Sequence, residues 1–342
     1  KLLSGLKLNL KESAQDGRFT VKIYMNDIEI RTSTVPGSYG EAVVMRILNP
    51  KSISVPIEDL GFPPRLFKIL MAEIARPNGL ILTTGPTGSG KTTTLYSFLR
   101  KSQSPEMKII TIEDPIEYHL EGVVQTQVEE KKGYNFESGL RAALRQDPDI
   151  IMVGEIRDGE TASTAIQAAL TGHLVFSTLH TNSAAGAVPR LIDMKCEPFL
   201  LVSTLKIIIA QRLVRRLADS KEKYILTKEE LASISKKIDM DNVLKILKEE
   251  KIVGPKDDWS TIPFYKPKAN SETEDGYHGR VGIHEVLKFS PAIKDLVMKD
   301  ATSDAIEIQA RKEGMMTMIE DGIFKAVQGL TSVEEILRVV SE

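Results

Sequence analysis

Short runs that alternate apolar and polar residues dominate the beginning of the chain. Residues 18–25 and 28–32 show this period of two, which is typical of half-buried β-strands. Asn26-Asp27 between them is a hairpin signal, and residues 35–38 predict a second turn. The apolar pattern resumes over residues 40–48. We therefore predict a small α+β domain at this end of the chain.

From about residue 60 the pattern changes to helices that alternate with continuous apolar runs. The predicted strands are residues 80–84, 108–112, 149–153 and 173–178, and the predicted helices are residues 63–75, 93–99, 136–146 and 161–171. Residues 122–128 predict a hairpin-like segment. Strands that are apolar throughout and alternate with helices indicate a parallel sheet. The sequence therefore predicts an α/β fold with helices on both faces of the sheet.

The last third of the chain is predicted to be mainly helical. The helix-like segments are residues 184–194, 200–217, several charged stretches after 227, and residues 291–299, 303–313 and 332–340. Residues 255–274 are rich in Lys, Pro, Ser, Asp and Glu, and we expect them to form a long loop.

These patterns divide the chain into four segments. The α+β domain covers residues 1–50, and the Asn49-Pro50-Lys51-Ser52 stretch leads into a linker at residues 51–59. The α/β domain covers residues 60–217, and the mainly helical segment covers residues 218–342.

Composition narrows the class of protein. The 342 residues are 42% hydrophobic and 27% charged with a net charge of −2, which is ordinary for a soluble globular protein and gives no basic field for nucleic acid. Cys196 is the single cysteine, so an internal disulfide is excluded and a reducing compartment is favoured. No apolar run approaches the ~20 residues of a membrane-spanning helix, so we expect any membrane association to be peripheral. Because the chain begins with Lys1, we expect it to be part of a longer protein.

The strongest chemical signal lies between the predicted strand 80–84 and the predicted helix 93–99. Residues 85–92 fit G-x-x-x-x-G-K-[ST], the phosphate-binding loop of nucleoside triphosphatases. Its glycines let main-chain N–H groups face phosphate oxygens, Lys91 can reach the β- and γ-phosphates, and the Thr92 hydroxyl can hold Mg²⁺. The predicted nucleotide-binding residues are Gly85, Pro86, Thr87, Gly88, Ser89, Gly90, Lys91, Thr92 and Thr93.

A carboxylate follows the apolar run at residues 149–153. Glu155 stands one glycine beyond that strand, which is the Walker B arrangement with Glu in place of Asp. A carboxylate at this place binds Mg²⁺ directly or through a coordinated water. The alternative is a surface glutamate at a strand end, but its combination with the phosphate loop favours the metal ligand.

Three carboxylates follow the predicted strand 108–112. Hydrolysis needs a base, or an acceptor that orients the attacking water. Glu113 lies nearest the strand end and is our candidate. Asp114 has the alternative role of bracing the turn at Pro115, and a solvated acidic turn is the alternative for the whole group, which includes Glu117.

Two histidines bracket the predicted strand 173–178. His180 stands at the carboxyl end, where open α/β sheets place their ligands, and there it could hydrogen-bond a γ-phosphate. A packing or capping residue is the alternative for His180. His173, at the other end, is predicted to be structural.

Arginines in the first domain are further candidates. Phosphoryl transfer needs positive charge near the equatorial oxygens, often from an arginine on a neighbouring element. Arg18, Arg31 and Arg46 occupy strand or strand-end positions. Taken alone, each is also explained as a solvated surface residue.

Together these motifs closely resemble secretion ATPases, the hexameric motors of type IV pili and type II secretion. Within that family, the assembly or extension subgroup is the most similar. The matching segments are residues 15–18, 85–92, 111–117, 145–149, 155–158, 178–182, 211–216, 279–285 and 321–325. The resemblance covers nearly the whole chain.

The resemblance implies an architecture and a set of partners. It implies a RecA-like P-loop ATPase domain, a small N-terminal α+β (PAS-like) domain and a helical C-terminal extension. The substrate would be ATP with Mg²⁺, and the assembly a homohexamer. The motor would lie in the cytoplasm, peripheral at the inner membrane, and would rotate a membrane-embedded platform protein through rigid-body movement of the first domain.

The resemblance also implies roles for individual residues. Glu113 falls in the family's aspartate box as the catalytic glutamate, Glu155 is the Walker B residue, and His180 belongs to the histidine box. Arg31 and Arg46 match arginines that reach the phosphates from the first domain. Arg18 matches a third basic position there.

One departure from the family concerns zinc. Assembly ATPases commonly carry two cysteine pairs that bind a structural zinc ion. The matching places here hold Ala218 and Lys221, then Ala269 and Glu272. Because no thiolates remain, we predict that no zinc binds, and that residues 218–275 are held by their own packing or are mobile.

The same motifs also suit three functions other than pilus assembly: type II secretion, a DNA-directed motor and a nucleotide-binding scaffold. Type IV pilus assembly is preferred, with type II secretion as the alternative, because the sequence preferences that separate the two overlap. A DNA-directed RecA-fold motor would use the same phosphate loop, but the near-neutral charge and the 6% aromatic content argue against a DNA channel, so no nucleic acid is expected. A nucleotide-binding scaffold without turnover is disfavoured because Lys91, Thr92, Glu113 and Glu155 are intact.

Overall fold

A computed structural model of the protein describes residues 1–23, 26–48, 55–269, 271 and 273–341. The chain divides into two compact units. The first comprises Lys1–Val55 and Pro115–Glu121, and the second comprises Pro56–Asp114 and Gly122–Glu342. Residues 51–54 of the predicted linker lie outside the described residues, and Ile57–Leu60 form a 3₁₀ helix. The domain boundaries proposed from the sequence therefore remain a prediction.

A three-stranded antiparallel sheet forms the first unit. Its strands, in the order β1-β2-β3, are β1 (Gln15–Ile23), β2 (Asn26–Gly37) and β3 (Gly40–Leu48). Residues of β1 alternate between partly buried and exposed, as the period of two predicts. All secondary structure described in this unit is strand or turn, so the helical part of the predicted α+β domain is not confirmed.

Both predicted turns of this unit are misplaced. Asn26 and Asp27 lie in β2 and pair with β1, so the hairpin turn predicted at these two residues is wrong. The end of the predicted first strand, Tyr24-Met25, lies outside the described residues. β2 also continues through Pro36, and Gly37 pairs with Gly40, which leaves the second turn at residues 38–39. Pairing between β2 and β3 continues until only a two-residue turn is left, which is the commonest hairpin connection. This pairing outweighs the preference of the local residues for a turn at 35–38.

The second unit contains a large sheet and a small one. Its strands are β4 (Gly79–Thr84), β5 (Ile109–Glu113), β6 (Val123–Gln127), β7 (Ile150–Val153), β8 (Leu174–Leu179), β9 (Leu205–Leu217), β10 (Lys221–Tyr224), β11 (Phe264–Pro267) and β12 (Tyr277–Lys288). The large sheet has seven strands in the order β12-β9-β4-β8-β7-β5-β6, and every neighbouring pair is parallel except β12–β9. β10 and β11 form a separate antiparallel pair.

Helices cover both faces of the large sheet. In chain order they are α1 (Pro64–Ile74), α2 (Lys91–Ser102), α3 (Phe136–Leu144), α4 (Gly159–Leu170), α5 (Ala187–Asp193), α6 (Pro198–Thr204), α7 (Lys228–Ser235), α8 (Met240–Glu249), α9 (Pro291–Met298), α10 (Ser303–Lys312), α11 (Met318–Val327) and α12 (Val333–Ser341). Val175 and Phe176 are successive residues of β8 and point to opposite faces. Val175 belongs to the same core as Ile166 of α4, whereas Phe176 contacts Phe98 of α2. The predicted parallel sheet with two helical layers is confirmed.

Two elements were predicted wrongly, and for the first the reason is that an apolar run of β-branched residues suits both helix and strand. Of the predicted helix 200–217, only the part within α6 is helical, and the rest is β9, where Ile207, Ile208 and Ile209 are fully buried. The predicted hairpin-like segment 122–128 is the edge strand β6, which runs parallel to β5. With β9, β10, β11 and β12 present, the C-terminal third is mixed rather than mainly helical.

Apolar packing holds the segment at residues 218–269 in place. Its buried side chains share one cluster with α11 and α12: Leu226, Ile234, Val243, Leu247, Phe264, Ile323, Phe324 and Ile336. At two of the family's zinc-ligand places, Ala218 N–H donates to Gly276 O at 3.0 Å and Lys221 Nζ donates to Gly329 O at 2.8 Å. Glu272, at another of these places, lies outside the described residues. Of the two predicted alternatives for this segment, packing is the one observed.

The described part of the chain lacks two kinds of feature. It contains no group of three or more His, Cys, Asp and Glu side chains able to hold a metal ion, and the absence of zinc remains a prediction. None of the described helices combines the length and the apolar character needed to cross a membrane.

Candidate nucleotide-binding site

Four buried parallel strands end at one edge of the large sheet. At the ends of β4 and β8, Thr84 pairs with Leu179. Val153, at the end of β7, pairs with both Ser177 of β8 and Ile112 of β5. The segments that follow these strands therefore lie side by side. Because open α/β sheets bind ligands beyond the carboxyl ends of their strands, this edge is the candidate site.

The predicted phosphate loop lies at this edge between β4 and α2. Gly85, Gly88 and Gly90 have φ angles of 142°, 79° and 89°, in the region that favours glycine. Gly90 is the N-cap of α2 and has no side-chain cap, so the N-terminus of the helix faces the loop. Thr92 and Thr93 follow in the first turn of α2 and are partly exposed. The backbone therefore has the shape of an anion-binding nest.

Lys91 folds back over the loop. Its Nζ donates to Gly85 O at 2.8 Å and to Pro86 O at 3.0 Å. Burial lowers the pKa of Lys91, and the charge of Glu155 opposes that shift. Among the residues that the structure describes, the buried Ser89 Oγ has no hydrogen-bond partner. A phosphate would give the ammonium charged acceptors in place of neutral carbonyls, so these residues fit a polyphosphate.

Glu155 lies next to a histidine and an arginine. His180 Nε2 is 3.3 Å from Glu155 Oε2, and the Arg157 guanidinium donates to Glu155 Oε1. Burial disfavours the ionised carboxylate, but Arg157 and His180 together outweigh it and lower the pKa of Glu155. An ionised carboxylate is what a Mg²⁺ ligand requires. The structure thus brings the predicted Glu155 and His180 together, beside an arginine, Arg157, to which the sequence assigned no role although it lies in a matching segment.

Glu113 ends β5 and is buried. Thr111 and Tyr96 each donate a hydroxyl hydrogen bond to its carboxylate, and Gln125 Nε2 donates to Oε1 at 3.0 Å. Tyr96 belongs to α2 and Gln125 to the edge strand β6. The carboxylate is thereby fixed between the helix that follows the phosphate loop and the edge of the sheet. Sequence reasoning missed these three partners, and only the i, i+2 spacing of Thr111 and Glu113 could have indicated one of them.

A threonine pair joins the start of the phosphate loop to the segment after His180. Thr84 Oγ1 accepts from Thr181 N–H at 2.8 Å and lies 2.7 Å from Thr181 Oγ1. The loop and the histidine segment are therefore hydrogen-bonded where both strands end. At the opposite end of β8, His173 Nδ1 lies 3.0 Å from Ala168 O. This contact agrees with the structural role predicted for His173.

The three candidate arginines form a row across the sheet of the first unit. Arg18 pairs with Arg31, and Arg31 pairs with Arg46, so the three side chains project from one face. Arg31 donates to Glu29 Oε1 at 3.1 Å and to the carbonyl of Ile116, and it lies 3.5 Å from the Glu117 carboxylate. Their alignment depends on strand register, which the sequence pattern left open. Contact of these arginines with a phosphate remains a prediction.

The strand order, the glycine loop and the strand-end carboxylates define a RecA-like P-loop nucleotide-binding protein. A family model described as "Type II/IV secretion system protein" matches residues 1–338. The chain belongs to this family of secretion ATPases.

Relatives from both branches of the family resemble the chain to the same degree. The chain is 44% identical over 347 residues to the "Type II secretion system ATPase E" of Vibrio cholerae, and the match covers 100% of this chain and 64% of that protein. It is 42% identical over 344 residues to the "Type IV pilus assembly ATPase PilB" of Pseudomonas aeruginosa, covering 100% of this chain and 58% of that protein. The chain thus spans about three-fifths of the length of the curated relatives it matches.

Solved structures agree with the fold. The pilus retraction motor PilT with bound ADP superposes with a TM-score of 0.64 at 28% identity, over 94% of this chain and 77% of that one. The ATPase DotB of Legionella pneumophila superposes with a TM-score of 0.65 at 23% identity, over 96% of this chain and 78% of that one, and shows the fold alone.

The loop geometry predicts unequal effects of two alanine substitutions. A Cβ at Gly85 would lie 2.4 Å from Gln211 O, whereas a Cβ at Gly88 meets open space. Gly88→Ala should cost only the strain of a left-handed residue, roughly 1–2 kcal/mol of unfolding free energy. Gly85→Ala should cost about 1–3 kcal/mol more, because the backbone must move. Urea unfolding of both variants measures the difference, and equal stabilities would contradict the loop geometry.

Proposed function

We propose that the chain is the motor part of a homohexameric ATPase that powers type IV pilus assembly. Its substrate is ATP with Mg²⁺, and its products are ADP and phosphate. The observation that carries the proposal is the convergence of the phosphate loop, the Glu155–His180 pair and Glu113 at one edge of a parallel sheet. Family membership and the curated names of the relatives support the choice of ATP.

Each group at the sheet edge has a task in this proposal. Main-chain N–H groups of the loop and Lys91 hold the β- and γ-phosphates. On binding, the phosphates replace the two carbonyl oxygens to which Lys91 now donates. Thr92 and Glu155 would hold Mg²⁺, which would neutralise phosphate charge when bound. His180, which is hydrogen-bonded to Glu155, contacts the γ-phosphate. This contact is lost when the γ-phosphate leaves, and His180 senses the change.

Hydrolysis proceeds by in-line attack of water on the γ-phosphorus. The bond between that phosphorus and the β–γ bridging oxygen breaks, and ADP leaves with the bonding pair. Glu113 orients the attacking water and accepts its proton. Tyr96, Thr111 and Gln125 hold the carboxylate of Glu113 in one position for this task.

The arginine row supplies positive charge to the transferred phosphoryl group. Like charges directly opposite one another destabilise a sheet. Glu29 and Glu117 offset part of this cost at Arg31, and a bound anion would offset more of it. Arg31 and Arg46 contact the phosphates, and Arg18 adds a third cation. The first domain, over residues 1–50, closes on ATP and reopens after hydrolysis, and the linker at residues 51–59 permits that movement.

Membership of the family supports the partners that we propose. Six subunits act at the cytoplasmic face of the inner membrane, and their domain movements rotate a membrane-embedded platform protein. No nucleic acid partner is proposed, because the net charge of −2 provides no general attraction to phosphate backbones. No zinc is proposed either, since residues 218–342 contain no cysteine and apolar packing holds residues 218–269.

Replacing the proposed base tests the hydrolytic role. Glu113→Gln should leave MgATP binding nearly unchanged and slow turnover by about 10²–10⁴-fold, the scale of positioned proton transfer. Steady-state phosphate release and nucleotide titration give the two quantities. Glu106→Gln, at an exposed site whose carboxylate accepts from Ser104, is the matched control and should turn over normally. Normal turnover in Glu113→Gln would remove its assigned role.

Type II secretion is the second candidate function. The relatives named for type II secretion resemble the chain to the same degree as the relative named for type IV pilus assembly. The identities alone do not separate the two functions.

Chimeras can decide between the candidates, because Pseudomonas aeruginosa has a relative of each kind. Its "Type IV pilus assembly ATPase PilB" and its "Type II secretion system protein E" are each 42% identical to this chain over 344 residues. This chain would replace the matched part of each protein in the corresponding deletion strain. We expect the first chimera to restore surface pili and the second to restore little secretion. Restored secretion without pili would favour the second candidate.

A further inference from the structure

We propose that Gln211 is a positioning residue of the phosphate loop that sets nucleotide affinity. Gln211 lies on β9, the neighbour of β4 in the large sheet, and its side chain is buried. β9 lies on the opposite side of β4 from the strands that carry Glu113, Glu155 and His180. The inference rests on the proposed nucleotide site and adds a residue outside the loop to it.

The side-chain amide of Gln211 bridges the loop and the helix that follows it. Nε2 donates to Ser89 O at 2.8 Å, and Oε1 accepts from Thr94 Oγ1 at 2.9 Å. Thr94 belongs to the first turns of α2 and is also buried. The two bonds fix the amide, because its donor end faces a carbonyl and its acceptor end faces a hydroxyl.

A main-chain atom and a side-chain atom of Gln211 also lie close to glycines of the loop. Gln211 O would lie 2.4 Å from a Cβ at Gly85, and Gln211 Nε2 would lie 3.2 Å from a Cβ at Gly90. One residue of β9 therefore approaches both ends of the loop closely. This explains in part why glycine occupies both positions.

The hydrogen bond to Ser89 O has a direct consequence for phosphate binding. In a trans peptide the C=O and the next N–H point in opposite directions. Because Ser89 O points at Gln211, the Gly90 N–H points away from Gln211, and we assign it to the bound phosphate. Without the side-chain amide of Gln211, the Ser89–Gly90 peptide can rotate. Only a fraction of the molecules then has the loop in the conformation that binds phosphate. The apparent dissociation constant then rises by the inverse of that fraction.

The test compares affinity with turnover in Gln211→Met, which keeps the volume of the side chain and removes the amide. We expect the dissociation constant for MgADP and the KM for MgATP to rise about tenfold, while kcat at saturation stays within about threefold of wild type, because bound phosphate restores the loop. An unchanged affinity, or a loss of kcat at unchanged affinity, would overturn the inference.

Two further variants separate positioning from stability. Thr94→Val removes the donor that orients the amide, so it should raise the same dissociation constant about threefold, and adding it to Gln211→Met should cause no further loss. Ile207→Val, also buried on β9, should lower the melting temperature and leave the affinity unchanged. Additive losses in the double variant, or an affinity loss in Ile207→Val equal to that of Gln211→Met, would sink the positioning role.

Failure of this inference differs from failure of the nucleotide site itself. If wild-type protein does not bind MgADP, both the site and the role of Gln211 are wrong. If wild-type protein binds MgADP and Gln211→Met binds it equally well, only the role of Gln211 is wrong.

Discussion

The candidate site depends on one constraint, which is the register of the parallel strands β4, β8, β7 and β5 in the large sheet. These strands are buried on both faces, so each has one favourable alignment with its neighbours. The alignment places their carboxyl ends at one edge, and residues far apart in the chain meet there. The candidate phosphate loop, a carboxylate that suits Mg²⁺ and a buried glutamate become neighbours there, although they lie far apart in the sequence.

The site extends beyond the groups that would contact nucleotide. Tyr96, Thr111 and Gln125 donate hydrogen bonds to the carboxylate of Glu113. Arg157 helps to lower the pKa of Glu155. Gln211 donates a hydrogen bond to the phosphate loop. These residues come from helices and strands on both sides of the loop. The positions of the reacting groups are thus set by the packed α/β unit as a whole.

Sequence reasoning located the candidate groups at the strand ends and missed the residues that hold them. The phosphate loop has a spacing that recurs because its backbone must curl around phosphate, so residues 85–92 were predictable. Glu113, Glu155 and His180 were predictable as strand-end residues, once the apolar runs had located the strands. Gln211 could not be assigned, because a helix was predicted over residues 200–217. An apolar run of β-branched residues carries no period that separates buried strand from buried helix. The arginine row was also hidden, since it depends on strand register and on turns that the local signals misplaced.

Binding of a nucleotide diphosphate by purified protein tests the central claim most directly. Calorimetric titration with MgADP should show saturable binding by the wild-type chain. The Lys91→Ala variant should bind at least about tenfold more weakly, because the phosphates lose a charged hydrogen-bond donor. No heat of binding in the wild type, or equal affinity in Lys91→Ala, would contradict the assignment of this sheet edge as a phosphate site.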